Sequence, residues 1–130
     1  MLTAIHIGTD PLLLRTRTAV LESAGLRVIS AESVSQALGT LWDNPFDLAV
    51  LCHSLSRSER LSLTTAIRRR SPSALILLIS AGPGASTAEK DGMDAVLEPD
   101  PHRLLQRLRP MLWIRQQHGA ETRLHQAHHA

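Results

Sequence analysis

Five short aliphatic runs, Thr3–Ile7, Leu26–Ile29, Leu48–Leu51, Leu75–Ile79 and Ala95–Leu97, recur along the 130-residue chain at intervals of about twenty residues. Each has the length of a strand, and the stretches between them carry helical periodicity. A strand returning parallel to its neighbour needs a crossover of about a dozen residues or more, usually a helix, and this spacing supplies one. The runs show little polar alternation, which is the pattern of strands covered on both faces. The expectation is an α/β fold, with a doubly wound five-stranded parallel sheet flanked by helices.

The punctuation between the runs agrees. Asp10-Pro11 and Asp100-Pro101 each place an N-cap carboxylate before a proline suited to the first helical position. Gly25 is suited to ending the first helix, Ser56 and Glu59 have capping-box spacing for the third, and Pro72 closes that helix. Gly82-Pro83-Gly84 consumes most of the next connection, leaving a shortened fourth helix of one turn, Thr87 to Lys90, before Gly92. Pro110 lacks an amide hydrogen and is expected to kink or end the last helix after Arg109. Beyond Gly119 no core-facing stripe continues, so the chain divides into a domain over 1–117 and a flexible, His-rich tail over 118–130.

A hydrophobic content of 43% is enough for one core, and that core must be aliphatic because the only aromatics are Trp42, Phe46 and Trp113. No aromatic platform for stacking bases is available. The formal charge is +2, and the clusters Arg57/Arg60 and Arg68-Arg69-Arg70 fit a solvated helix face better than a nucleic-acid patch. A single cysteine excludes an internal disulfide, and the first twenty residues lack the pattern of a secretory signal. A cytoplasmic location is expected. The longest aliphatic run, Ala74 to Ile79, falls short of the roughly 20 residues of a membrane helix.

Four segments taken in order carry a resemblance: Asp10-Pro11 after the first run, Phe46-Asp47-Leu48-Ala49-Val50-Leu51 leading into Cys52, Ile79-Ser80-Ala81 after the fourth run, and Gly92 to Pro99 around the fifth. Together they resemble the receiver domain of response regulators, the CheY-like family, from Thr3 to about Met111. The resemblance implies a sheet of order 2-1-3-4-5. Family members carry an acid pair after the first strand, a phosphoacceptor aspartate after the third, a Ser or Thr after the fourth, and a lysine before proline after the fifth. Those places here read Gly8 and Thr9, Cys52, Ser80, and Glu98. Asp10 is one residue late for the acid pair and is assigned to helix capping. The segment from Gly92 to Pro99 is one residue shorter than the family pattern, and the resemblance also implies a cis peptide before Pro99.

Phosphoryl transfer to a carboxylate requires a Mg²⁺ on oxygen ligands and cations on the transferring oxygens. Gly8 offers no side-chain ligand, Thr9 offers a neutral one, Cys52 is a soft sulfur, and Glu98 places negative charge where positive is needed. The chain therefore resembles a degenerate receiver, a pseudo-receiver, with no cofactor, no Mg²⁺ and no enzymatic activity expected. Without a phosphoryl group, Ser80 is read as a strand-end serine bonded to local backbone.

Cys52 and the tail histidines each invite another chemistry. Cys52 is suited to a buried inert thiol, or alternatively to a redox or modification sensor needing only a partly exposed thiolate. As a nucleophile it lacks the Cys-x5-Arg spacing of phosphatase loops, and His53 would point to the opposite face if the strand continued. In the tail, His125 and His129 have the i, i+4 spacing of a helical metal pair, with His118 and His128 nearby, but without a packed scaffold a polar tail is the simpler reading.

What remains is recognition. The candidate interaction surface comprises Val96, Leu97, Arg107, Trp113 and Ile114, exposed by the shortened fourth helix and falling off the stripe Leu104, Leu105, Leu108, Met111 and Leu112. Trp113 is either a contact hot spot or a cover folded over the fourth-helix gap. The expected function is phosphorylation-independent signalling through a protein partner or a second copy of the chain, in a bacterial two-component or regulatory pathway. No nucleic acid or membrane is expected as a partner, and the alternative is a thiol sensor acting through Cys52.

Overall fold

The computed structural model of the chain describes residues 1–82 and 87–128, with side chains described through Gln117. Five parallel strands, β1 (Thr3–Ile7), β2 (Arg27–Ala31), β3 (Leu48–Cys52), β4 (Leu75–Ile79) and β5 (Ala95–Leu97), form one sheet in the order β2-β1-β3-β4-β5. Helices α1 (Pro11–Ser23), α2 (Val34–Asp43), α3 (Arg57–Arg70) and α4 (Pro101–His128) make the crossovers and the final element. The register places Ile5 beside Ile29 and Ala49, and Leu51 beside Leu78.

Period-two alternation divides the strands between two cores. Ile5, Ile7, Ala49, Leu51, Ile76 and Leu78 pack against the face holding Leu41 of α2 and Leu63 and Ile67 of α3. Ala4, Leu48, Val50, Leu77 and Ile79 face Leu21 of α1 and Leu104, Leu108 and Leu112 of α4.

The helix ends follow the sequence punctuation. The Asp10 carboxylate accepts from the amides of Leu12 and Leu13 at 3.1 and 3.2 Å, with Pro11 opening α1. Gly25 follows the end of α1 at φ 89, a left-handed conformation that favours glycine. Ser56 and Glu59 form the reciprocal capping box, and Ser71 caps α3 immediately before Pro72.

Between β4 and β5 the described residues form a tight turn. Asp91 N–H donates to Thr87 O at 3.0 Å and Met93 N–H to Ala88 O at 3.0 Å, while Ala88 and Met93 are buried. This is the one-turn remnant expected of the fourth helix.

Of the two outcomes expected at Pro110, an end to the last helix is corrected, since that helix continues through Pro110 to His128. Pro110 and Gln106, whose carbonyl loses its hydrogen bond, both lie on the solvent side, where water can satisfy that carbonyl. Leu104, Leu108 and Leu112 hold the opposite side in the core. At about 1.5 Å per residue, α4 is roughly 42 Å long, far longer than strands of five residues. The side chains of His118, His125 and His128, and all of His129, lie outside the described residues. No helix among the described residues is long and apolar enough to cross a membrane.

Candidate functional site

A parallel sheet of this kind gathers its chemistry at the C-terminal ends of its strands, beside the point where the chain reverses its winding direction. There the fold brings together Gly8 and Thr9 after β1, Cys52 at the end of β3, His53 and Ser54 beyond it, and Ser80 after β4.

Gly8 packs directly on Cys52. A Cβ added at Gly8 would stand 2.8 Å from the Cys52 Cβ and 3.5 Å from its Sγ, closer than carbon atoms tolerate without movement. An acid at this position therefore has no room. Beside it, Thr9 N–H donates to Ser54 Oγ at 3.0 Å and Thr9 Oγ1 donates to Ser54 O at 3.1 Å, stitching the β1–α1 loop to the β3–α3 loop.

Cys52 is fully buried. Its Sγ accepts a hydrogen bond of 2.8 Å from Arg17 Nη1, and the same nitrogen lies 3.3 Å from His53 Nδ1. Arg17 is itself only 7% exposed, and no carboxylate pairs with it among the described residues. Sequence reasoning missed this arginine, although Leu14, Arg17 and Leu21 form the buried stripe of α1 and that i, i+3, i+7 spacing would have found it. The expectation that Cys52 and His53 face apart is also corrected. The strand ends at Cys52, and the turn that follows no longer alternates, so both reach one guanidinium.

His6 lies on the same sheet face, fully buried, with Nδ1 2.8 Å from Thr18 Oγ1, which in turn is 3.1 Å from Ser30 Oγ. Its Nε2 has no partner among the described residues. Burial, with a smaller contribution from the Arg17 charge, lowers the imidazole pKa to about 4, so at neutral pH the ring adds no second cation beside Arg17.

Ser80 and Glu98 are engaged elsewhere. Ser80 Oγ accepts from Gly82 N–H at 3.1 Å, the local backbone role expected of it. Glu98 is exposed and pairs with Arg103 at 3.0 Å. The Glu98–Pro99 bond is trans, correcting the cis expectation. Trans is the intrinsically favoured form, and Glu98, turned outward to Arg103, supplies no inward contact to reverse that preference. Gly8 without a ligand atom, Thr9 committed to Ser54 and a sulfur bonded to a guanidinium do not fit Mg²⁺, which takes oxygen donors in octahedral geometry. No three His, Cys, Asp or Glu residues converge for a metal ion among the described residues.

The proposed interaction surface divides. Leu97 is fully buried and leaves it, because alternation in the short β5 turns this side chain into the core. Val96 is half-buried, and its carbonyl accepts from Arg107 Nη1 at 2.7 Å beside a cleft of about 510 Å³ that also reaches Ser80 and Pro99. Trp113 and Ile114 lie at the other end of the sheet, against Leu2 and Leu26 on one side of α4 and Leu75 on the other. Trp113 is 62% exposed and does not cover the fourth-helix gap.

The arginine clusters are also not a free basic face. Arg57 pairs with Asp91 at 2.9 Å, Arg60 donates to Leu55 O, Arg68 holds Ala74 O and Asp94, and Arg70 donates to Leu41 O.

This architecture has many solved counterparts. A response-regulator receiver domain from Methanospirillum hungatei matches with a TM-score of 0.75 at 20% identity, over 91% of this chain and 98% of that one. The fold is that of a response-regulator receiver domain. The chemotaxis response regulator CheY4 of Vibrio cholerae matches with a TM-score of 0.71 at 18% identity, over 85% and 98% of the two chains. NtrX from Brucella abortus matches at 0.79 and 18% identity, over 95% of this chain but 29% of its own. No protein-family model matches the sequence, and no curated protein matches it.

Proposed function

We propose that this chain is a phosphorylation-independent receiver-fold domain, not an enzyme, which acts by protein–protein recognition in a bacterial cytoplasmic signalling or regulatory pathway. The receiver fold supports the signalling context. The single observation that carries the rest is the contact between Gly8 and Cys52, since a Cβ at Gly8 would stand 2.8 Å from that of Cys52. Where a receiver keeps its first acid and its phosphoacceptor apart around a metal, this chain has backbone against thiol, with Arg17 bonded to the sulfur. Neither a metal ligand set nor a carboxylate nucleophile remains.

The test is incubation with Mg²⁺ and acetyl phosphate, followed by intact mass measurement, and titration with Mg²⁺ and beryllofluoride monitored by amide NMR. The expected result is no phosphoryl adduct and no Mg²⁺-dependent shift at Cys52, Ser80 or Thr9. An adduct or a saturable shift overturns the reading.

A thiol sensor on the same fold is the second reading, favoured by the Arg17 guanidinium at 2.8 Å from the sulfur, a polar contact that a purely space-filling core thiol does not need. Its weakness is that Cys52 is 0% exposed. Alkylation of the folded protein discriminates: a rate at or below that of free cysteine removes the sensor, and a faster rate supports it.

A further inference from the structure

Trp113 and Ile114 are neighbours on α4 and both are 62% exposed, yet they fall on opposite flanks of the helix. Trp113 borders a hollow of about 200 Å³ with Leu2, Leu26, Leu112 and Arg109. Ile114 borders another of about 310 Å³ with Leu75, Met111 and Arg115. Leu75, Met111 and Ile114 give the second hollow an apolar wall, while Arg109 and Gln116 make the first a mixed one, so this stretch of α4 offers an apolar seat beside Ile114 and the exposed ring of Trp113 to side chains of an incoming segment.

The charged side chains of this stretch of α4 have one sign. Between Pro101 and Gln117 the helix carries Arg103, Arg107, Arg109 and Arg115 and no acid. Arg103 is neutralised by Glu98, and Arg107 is bonded to Val96 O. Arg109 has no hydrogen bond or ion pair among the described residues, and Arg115 only reaches Ser73 Oγ, at 3.5 Å. Each hollow therefore has at its rim a guanidinium that no carboxylate neutralises within the described residues.

We propose that this face docks an acidic, amphipathic segment of a partner protein, its apolar side chains entering the hollow at Ile114 and packing on the Trp113 ring and its carboxylates meeting Arg109 and Arg115. The proposal rests on the recognition reading above and names the chemistry of the partner. A second copy of the chain fits less well, because pairing this face with itself sets Arg109 and Arg115 against their own like charges. A nucleic acid fits less well too, since the centre of the face is apolar and the arginines sit only at its rim.

The test selects a phage-displayed random peptide library on the full chain and measures the affinity of the enriched peptides. The Trp42→Phe background leaves Trp113 as the sole fluorescent reporter, because the chain has two tryptophans. Expected are acid-rich peptides with apolar residues at helical spacing, a blue shift of Trp113 emission on binding, and affinity that falls with salt. Trp113→Ala weakens binding about 30-fold and the pair Arg109→Glu with Arg115→Glu about tenfold or more. Ile114→Ser provides a second variant with the same direction of effect.

The proposal is overturned by failure to enrich peptides, by peptides without net negative charge, by affinities indifferent to Trp113→Ala and Ile114→Ser, or by sedimentation showing a dimer that buries Trp113 in place of peptide. Repeating the titration with Mg²⁺ and beryllofluoride separates the two claims. A change in affinity defeats phosphorylation independence and leaves the docking face standing, whereas loss of acidic selectivity defeats the docking face alone.

Discussion

At the C-terminal edge of the sheet, the strand-end groups satisfy one another: Gly8 packs against Cys52, Thr9 bonds Ser54, Arg17 bonds the thiol and Ser80 bonds Gly82. At the N-terminal edge, Trp113 and Ile114 stand in solvent beside two hollows, the one at Ile114 apolar, and a guanidinium without a partner among the described residues. The first edge is packed inward and offers little for a ligand to gain. The second keeps apolar area and charge available, and area removed from water on contact is the main favourable term in association. The difference teaches that one sheet can present a closed edge and an open one, and on the recognition reading proposed above the open edge is where a partner has most to gain.

The largest expected effect probes the interior below the closed edge. His6 has a pKa of about 4 in the folded chain against 6.5 as the reference for an exposed imidazole. Between these values the unfolded chain takes up the proton and the folded chain does not. The contribution is fully present above pH 6.5 and is lost as the pH falls through about 4. Urea unfolding should record a loss of about 3 kcal/mol across that window, and His6→Val should remove most of the pH dependence. A flat profile in the parent chain would show that the edge is not dry enough to hold the imidazole neutral.

Next in size, Gly8→Ala tests the close packing itself. The added Cβ meets the Cys52 Cβ at 2.8 Å, and overpacking of this kind costs about 1–3 kcal/mol. Placing Gly8→Ala in a Cys52→Gly background should recover much of the loss attributed to that clash, measured as a double-mutant cycle of unfolding free energies. Additive losses would mean that Gly8 is required for something other than its contact with Cys52.

The smallest effect belongs to the open edge. Trp113→Ala removes a side chain that is 62% exposed, and its stability should stay within about 0.5 kcal/mol of the parent by thermal or urea unfolding. A larger loss would make Trp113 a structural cover and dissolve the contrast between the two edges.

Much of the fold is legible in the chain because it depends on local rules. Strand-length aliphatic runs separated by crossovers dictate a parallel sheet, and Asp10-Pro11, Gly25 and the Ser56–Glu59 pair mark helix ends through contacts within a few residues. The site is legible only as far as residue types go: Gly8, Cys52 and Ser80 can be placed at strand ends, but not the groups they meet. Arg17 went unread because a charged residue on a helix is normally solvated, even though its place between Leu14 and Leu21 puts it on the core side. Pro110 misled for the reverse reason, since its ordinary cost falls where the affected carbonyl lies on the solvent side.

By itself the sequence determined the number of strands, their covering on both faces and the lack of a carboxylate at Gly8, Thr9 and Cys52. Periodicity and residue chemistry carry that information residue by residue. Only the tertiary structure decided what stands in the vacated place and where the exposed surface lies. Arg17 meets Cys52 across 35 positions of chain, and Trp113 comes to rest beside Leu2 and Leu26 because α4 runs back along the sheet. Such contacts are fixed by the geometry of the crossovers and the close packing of the two faces, which no local pattern specifies.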